Sequence, residues 1–319
     1  MIIKDCIHSI INIPDICKQF IDTPEFQRLR HIKQLGLVYM LYPGATHTRF
    51  EHSIGVMHLA GIVLDNLISQ GNNISKRDKE LVQLAGLLHD VGHIAFSHLF
   101  DYILKEKEIT LLHEERALII LRNINRKIDV LNEGELIKIS YMILGIIPEM
   151  SDKKFLYEII NNKTFGLDVD RLDYLQRDFF HIGMGISTFQ PNYLISCIRI
   201  KNNRLSLLHK GKDDLENLYE TRKKLLTLIC RHKTVLFIEL LIRQGIEHLG
   251  YIENWNTTNW LELDDIKVYY MLREYCPDII NIIETRKWDK LQNINRFEHL
   301  NFITKESIEE EIQKVNWFN

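Results

Sequence analysis

The reactive side chains are most crowded in the string HDVGH at 89–93. His89, Asp90, His93 and His98 fall within ten positions, at and after the end of the apolar-periodic stretch KELVQLAGLL. An adjacent imidazole and carboxylate can converge on one cation if the helix stops there, and Gly92 gives the backbone freedom to stop. His93, four residues after His89, is expected on the same helical face. Mixed imidazole and carboxylate donors suit zinc, iron, manganese and similar borderline ions. A single histidine on an apolar helix is ordinarily a packed core residue. Three histidines beside an aspartate, a residue rarely buried unless paired, point instead to a site.

Three other segments carry candidate chemistry. His52 stands in HTRFEHSIGV with His47, Arg49 and Glu51 around it. A histidine ligand beside an arginine for phosphate oxygens is a sensible pair. DVDRLDYLQRD at 168–178 sets Asp170, Asp173 and Tyr174 on one side of a helix, with Arg171, Arg177 and Asp178 filling the rest. One carboxylate from it would close a four-ligand site drawn from three helices. Periodicity leaves open which aspartate turns inward, and a salt-laced solvent face is the competing reading. His113-Glu114 heads another helix, either as an acid/base unit or as a helix-start charge pair. Arg222 and RHK at 231–233 add a late positive patch.

The elements that must position these residues are mostly helices. Residues 1–18 read as a short hairpin or extended arm with a turn at Pro14. Thr23 as N-cap and Pro24 at the first helical position open a helix that Gly36 could end. Residues 37–50 form a loop turning at Pro43-Gly44, and about five helical turns follow from Phe50. Asp78 is a candidate cap for the helix ending at HDVGH. Helices are expected in SHLFDYILK, HEERALIILRNI, EGELIKISYMILGI and DVDRLDYLQRDFFHIG. Alternation over 192–210 predicts two strands around Asn202-Asn203. A long helix over roughly 214–248, a helix near 263–275 and a charged tail complete the chain.

Length and composition bound the function classes. The 319 residues can bury one large core or two modest ones, and 45% hydrophobic with 26% charged residues is an ordinary globular balance. A net charge of -3 argues against broad nucleic-acid coating, which wants a basic surface. Five scattered cysteines, with no CxxC pair, read as free thiols in a reducing compartment. No uninterrupted apolar run approaches a membrane span, so a soluble, cytoplasmic protein without membrane partners is expected.

HTRFEHSIGVMHLAG, LAGLLHDVGHIAFSHLF and NNKTFGLDVDRLDYLQRD together resemble the HD-domain phosphohydrolase superfamily. More narrowly they are similar to its deoxynucleoside triphosphate triphosphohydrolases, above all those that join a sterile-alpha-motif to the HD domain. FIDTPEFQRLRHIKQLG and KDCIHSIINIP match that subgroup too. The resemblance implies a mainly α, HD-domain helical fold with a small strand-containing C-terminal part. It implies a catalytic core over 1–235 and a packed extension over 236–319. It implies one transition metal (Fe, Zn or Mn) held by His52, His89, Asp90 and Asp170, with Mg for the substrate phosphates. His98 and His113, supported by Asp101, would act at the scissile phosphate. Gln34, Leu35, Arg49, His93, Arg171, Tyr174, Asp178 and Arg222 would line the substrate pocket, with Tyr174 crowding the place of a 2′-hydroxyl. The products would be a deoxynucleoside and triphosphate.

Two site positions depart from the resembling pattern: Cys230 stands where a tyrosine is expected near the sugar, and Arg171 where a lysine is. Asp22, Gln27 and Arg30 match residues that hold a guanine nucleotide activator, GTP or dGTP. The sterile-alpha-motif and most of the assembly lobe have no counterpart here, so a homodimer is expected rather than an obligatory tetramer. Two alternatives stay open: an HD phosphohydrolase of nucleoside monophosphates or cyclic nucleotides, and a non-catalytic nucleotide- or RNA-binding protein.

Overall fold

The computed structural model describes residues 1–109, 111–185, 189–250 and 260–287. The charged tail lies outside the described residues. Strands β1 (Ile2–Asp5) and β2 (Ser9–Asn12) form an antiparallel hairpin with Ile3 opposite Ile11. Helix α1 (Asp15–Ile21) follows, which the expected arm did not include; it buries Ile16, Cys17, Phe20 and Ile21. Thr23 caps α2 (Pro24–Gln27) as expected, but the helix does not run on to Gly36. It tightens into a 3-10 turn at Arg28–His31, and the chain becomes extended at Ile32. The reason is tertiary: buried Arg28 donates to the carbonyls of Val91 and His93 at 2.8 and 2.7 Å.

Helix α3 (Arg49–Ser69) is the central element, packed against most of its neighbours and buried nearly all round. Glu51 accepts from the Thr48 N–H at 2.8 Å and closes its first turn. Helix α4 (Lys76–Leu88) lies along α3. Its N-cap is Ser75 rather than Asp78; Asp78 occupies the third helical position and completes a capping box. Helices α5 (His98–Glu106), α6 (His113–Ile128) and α7 (Glu133–Leu144) follow. Helix α8 (Val169–His181), capped by Asp168, packs on the opposite flank of α3.

The alternation over 192–210 divides. Pro191 starts a short helix, α9 (Pro191–Cys197), whose Leu194, Ile195 and Cys197 turn inward at helical spacing. Only β3 (Ile198–Lys201) and β4 (Arg204–Leu207) are strands, paired Lys201 to Arg204. Asn202 and Asn203, with φ of 52° and 61°, make the tight turn between them. The expected long helix is interrupted. Helix α10 (Lys212–Lys224) widens into a π turn at Leu225–Cys230, and α11 (Lys233–His248) restarts behind His232, whose ring accepts from the Thr234 N–H at 3.2 Å. Helices α12 (Asp265–Tyr275) and α13 (Pro277–Glu284) pack against each other and α11. The described residues are thus mainly helical, with two small strand pairs among them. Among the described residues, no helix is long and apolar enough to cross a membrane.

Candidate metal centre

Three elements bring four side chains together. His52 comes from the first turn of α3 and Asp170 from the first turn of α8, while His89 and Asp90 sit where α4 ends. His52 Nε2 is 3.1 Å from Asp170 Oδ1 and 3.6 Å from Asp90 Oδ2. His89 Nε2 is 3.4 Å from Asp90 Oδ1 and 3.5 Å from Asp170 Oδ1. His93 is not on the helical face with His89, because α4 stops at Leu88. It lies one turn into the following loop, with Nε2 3.4 Å from Asp90 Oδ1.

The ring tautomers follow from what lies behind them. His52 Nδ1 donates to Asp173 Oδ2 at 2.8 Å, and His89 Nδ1 donates to the Gly86 carbonyl at 2.7 Å. Each ring therefore turns Nε2 toward the carboxylates, and buried His52 Nε2 has no well-aligned hydrogen-bond partner. Lone pairs facing carboxylate oxygens repel unless a cation stands between them. Burial lowers the proton affinity of His52, yet the facing Asp170 and Asp173 carboxylates outweigh this and hold the ring up to about 10, so without a metal a proton on Nε2 takes the cation's place. The arrangement attracts a positive charge, and its donor set fits a transition metal.

The support for these ligands runs deep. Asp173 is fully buried and also bonds His8 Nε2 at 2.6 Å and Arg177 Nε at 2.9 Å. Arg177 in turn donates to Asp5 at 2.9 Å, so the N-terminal hairpin forms the back of the centre. Gly55 of α3 makes room: a Cβ there would lie 1.9 Å from Asp173 Oδ1. Asp90 carries a buried guanidinium at its side, from Arg49, which also donates to Ser97 Oγ at 2.8 Å. Burial alone would raise the Asp90 carboxyl, but Arg49 and the neighbouring histidines hold it well below the usual range.

A second histidine cluster adjoins the first. His93 and His113 stack with ring centroids 3.9 Å apart, and His98 meets both edge-on. Asp101 accepts from His113 Nδ1 at 2.6 Å and is paired with buried Arg116. Donor atoms of His93, His98, Asp101 and His113 all lie within 4.8 Å of one another. Face-to-face stacking keeps the planes of His93 and His113 apart, so one ion cannot lie in both ring planes. Neither nitrogen of fully buried His93 has a well-aligned hydrogen-bond partner. Burial, with Arg49 and His113 nearby, pushes its ring well below its ordinary value. The protein around His98 and the same two charges push that ring down to about 4, although its side chain is 74% exposed and water tempers the shift.

The loop between α4 and α5 is held from several sides. Arg28 grips two of its carbonyls, Arg116 donates to the Gly92 carbonyl at 2.8 Å, and Asp265 accepts from the Phe96 N–H at 2.7 Å. Phe96 and Ser97 both have φ of 57°, a costly conformation for non-glycine residues that these ties maintain. Gly92 is not left-handed. Its role is close approach, since a Cβ would lie 2.0 Å from the His113 carbonyl oxygen.

The other sequence-predicted residues are dispersed around this centre. Gln34 is buried with Oε1 unpaired, and Leu35 packs on the core. Arg171 donates to Asp168 at 2.5 Å and to the Gly166 carbonyl at 2.9 Å. Tyr174 faces the edge of His52, and its hydroxyl accepts from Arg222 at 3.1 Å. Asp178 bonds His47 at 2.7 Å. Asp22 and Arg30 are exposed, while Gln27 accepts from Arg30 at 2.8 Å. Sequence reasoning did not single out Asp265, Arg28, Arg116 or His8. Only Arg116, one helical turn from His113, left a spacing signal.

A model described as the HD domain matches residues 49–178. The chain is 33% identical over 300 residues to the deoxynucleoside triphosphate triphosphohydrolase SAMHD1 homolog of Dictyostelium discoideum, covering 91% of this chain and 56% of that protein. It is 35% identical to deoxynucleoside triphosphate triphosphohydrolase SAMHD1 of Homo sapiens, over 79% of this chain and 45% of the relative. With the Gallus gallus protein of the same name it shares 34% identity, over 77% of this chain and 45% of the relative. The chain thus spans about half the length of these relatives. With the HD match falling on the helices that carry the four converging side chains, the chain belongs to the HD-domain superfamily, in its SAMHD1-like subgroup.

Proposed function

We propose that the chain hydrolyses deoxynucleoside triphosphates to a deoxynucleoside and inorganic triphosphate, with one Fe, Zn or Mn ion held by His52, His89, Asp90 and Asp170. The observation that carries this reading is the pair of histidine Nε2 atoms facing two carboxylates, beside a second cluster rich in proton carriers. The names of the SAMHD1 relatives supply the substrate class. A cation in this centre would polarise a phosphoryl oxygen. Attack at the α-phosphorus expels the 5′ oxygen of the nucleoside, which needs a proton. Asp101 accepts from His113 Nδ1–H and so fixes the ring's orientation, and His113 is assigned as the proton donor to that oxygen. His98, kept neutral at neutral pH, is assigned to the attacking water. Buried Arg49 and His93, with Arg171, Arg222 and Asp178, are assigned to the triphosphate and sugar, and Gln34, Leu35 and Tyr174 to the deoxyribose edge. Mg would accompany the substrate phosphates.

Residues 1–235 form the catalytic core in this reading and 236–319 an extension. The protein acts as a cytoplasmic homodimer. Exposed Asp22 and Arg30, with Gln27 between them, offer the acceptor and donors that a guanine edge requires, so GTP or dGTP is the proposed activator. The test is product analysis: each dNTP is incubated with the metal-loaded protein, and the phosphate products are separated. Triphosphate and free deoxynucleoside are expected. Pyrophosphate with monophosphate, or turnover confined to nucleoside monophosphates, would overturn the assignment. Rate and mass in solution with and without GTP test the activator.

A further inference from the structure

A second group of donor side chains lies outside the centre just described. Cys6, in the turn between β1 and β2, Glu51, in the first turn of α3, and His181, the last residue of α8, each bring one donor atom to within 4.8 Å of the others. Cys6 Sγ is 3.6 Å from His181 Nε2. A tetrahedral zinc ion, bound at about 2.3 Å by sulfur and about 2.0 Å by nitrogen, holds two such atoms roughly 3.5 Å apart. The protein already sets the spacing that the ion requires.

The donors are also oriented. The His181 ring stacks on His47 with centroids 4.4 Å apart and planes at 15°, and His47 is itself fixed by Asp178. Glu51 uses one carboxylate oxygen to close the start of α3, and the other is 4.0 Å from Arg177. Cys6 is exposed, so an ion can reach it. The Arg177 guanidinium lies 3.8 Å from the sulfur and would oppose a cation. Its charge is already met by Asp5 and by Asp173, each at 2.9 Å, so the surroundings with Glu51 carry net negative charge.

We infer that Cys6, Glu51 and His181 form a second metal site, at the surface, for zinc or a similarly thiophilic divalent ion, with water completing the coordination. Three protein ligands of types S, O and N match the donor preferences of such an ion. Binding displaces the thiol proton, which the protein around the sulfur, with Asp5 and Glu51, holds on more tightly than usual against the opposing pull of Arg177. The ligands come from the hairpin, α3 and α8. The ion would therefore clip the hairpin onto the two helices that carry His52 and Asp170.

Cobalt(II) distinguishes this site from the first. A thiolate ligand gives cobalt a near-ultraviolet charge-transfer band, and His52, His89, Asp90 and Asp170 include no sulfur. The full chain loaded with cobalt should show the band, and zinc should displace it. Cys6→Ala should abolish it and lower zinc by one equivalent per chain, with the first centre still loaded. His181→Ala should weaken binding at least tenfold in competition with a chromophoric chelator. Circular dichroism of each variant checks that the fold is retained. A cobalt-loaded parent without the band, or a band that survives in Cys6→Ala, would overturn the inference.

Discussion

Replacing Gly92 by alanine tests whether the histidine cluster depends on the close approach of α6 to the α4–α5 loop. The added Cβ would lie 2.0 Å from the His113 carbonyl oxygen and 2.5 Å from the Ala117 amide nitrogen. Both are backbone atoms, so no side-chain rotation relieves the contact. Ordinary contact begins near 3.4 Å, so the start of α6 must withdraw, carrying His113 with it. A withdrawal of about 1 Å is enough to cost on the order of 100-fold in turnover if His113 acts on the reacting atoms. Overpacking of this kind destabilises by about 1–3 kcal/mol. Denaturant midpoints and kcat at saturating metal measure the two effects. Gly134→Ala is the control: it is an exposed helical position whose Cβ would meet only Asn132 Oδ1 at 3.3 Å. That variant should gain up to about 1 kcal/mol and keep full activity. A Gly92→Ala protein with parental midpoint and parental rate would refute the reasoning, because the loop would then have slack that the contacts deny it.

Further outcomes follow from the same geometry. Asp173→Ala should weaken metal binding about 10–100-fold, read by chelator competition, because His52 loses the acceptor that fixes its tautomer; unchanged affinity would remove Asp173 from the centre. Tyr174→Ala should raise turnover of ribonucleotides relative to deoxyribonucleotides, and equal discrimination in parent and variant would show that the ring does not face the sugar. Glu239, half-buried on α11, is pushed by burial from 4.5 up to about 7. The folded chain then holds a proton that the unfolded chain has lost, so stability falls as pH rises through that window. Glu239→Gln should flatten this slope in melting temperatures taken on either side of it, and an unaltered slope would assign it to other groups.

His89 and Asp90 stand out in the sequence because polar groups at the end of an apolar helix need a partner when buried. The choice of Asp170 over Asp173, and the addition of His52, rests on the family resemblance, because helical spacing alone leaves a solvent-facing reading open. Their supports were less legible, because support is a matter of tertiary reach. Nothing local marks Asp265 as the acceptor for Phe96, and Arg28 reads as an exposed helical residue until its contacts with the Val91 and His93 carbonyls are seen. The same reach explains the missed boundaries. The segment after Thr23 has helical spacing, yet Arg28 and the backbone pairing of Lys33 with Thr48 hold it in a tighter and then an extended path. In the opposite direction, the alternation of YLISCIRI suggested strand throughout, but only its second half found a partner across the Asn202-Asn203 turn.

The link from His52 through Asp173 also bears on how the chain assembles. The two residues are 121 positions apart, and His8 and Asp173 are 165 apart. Contacts this distant close late in folding, after the loop entropy between them has been overcome. On a ribosome, α3 and α4 can emerge and pack while His52 still lacks the acceptor that sets its tautomer. His89 and Asp90 are then present, but the centre is only half built. The metal should therefore bind tightly only after α8 has docked, and its binding energy is added at that late step. A nascent chain halted before residue 168 should fold its α3–α4 pair yet hold metal poorly, so the helix that supplies Asp170 also decides when the metal centre comes into being.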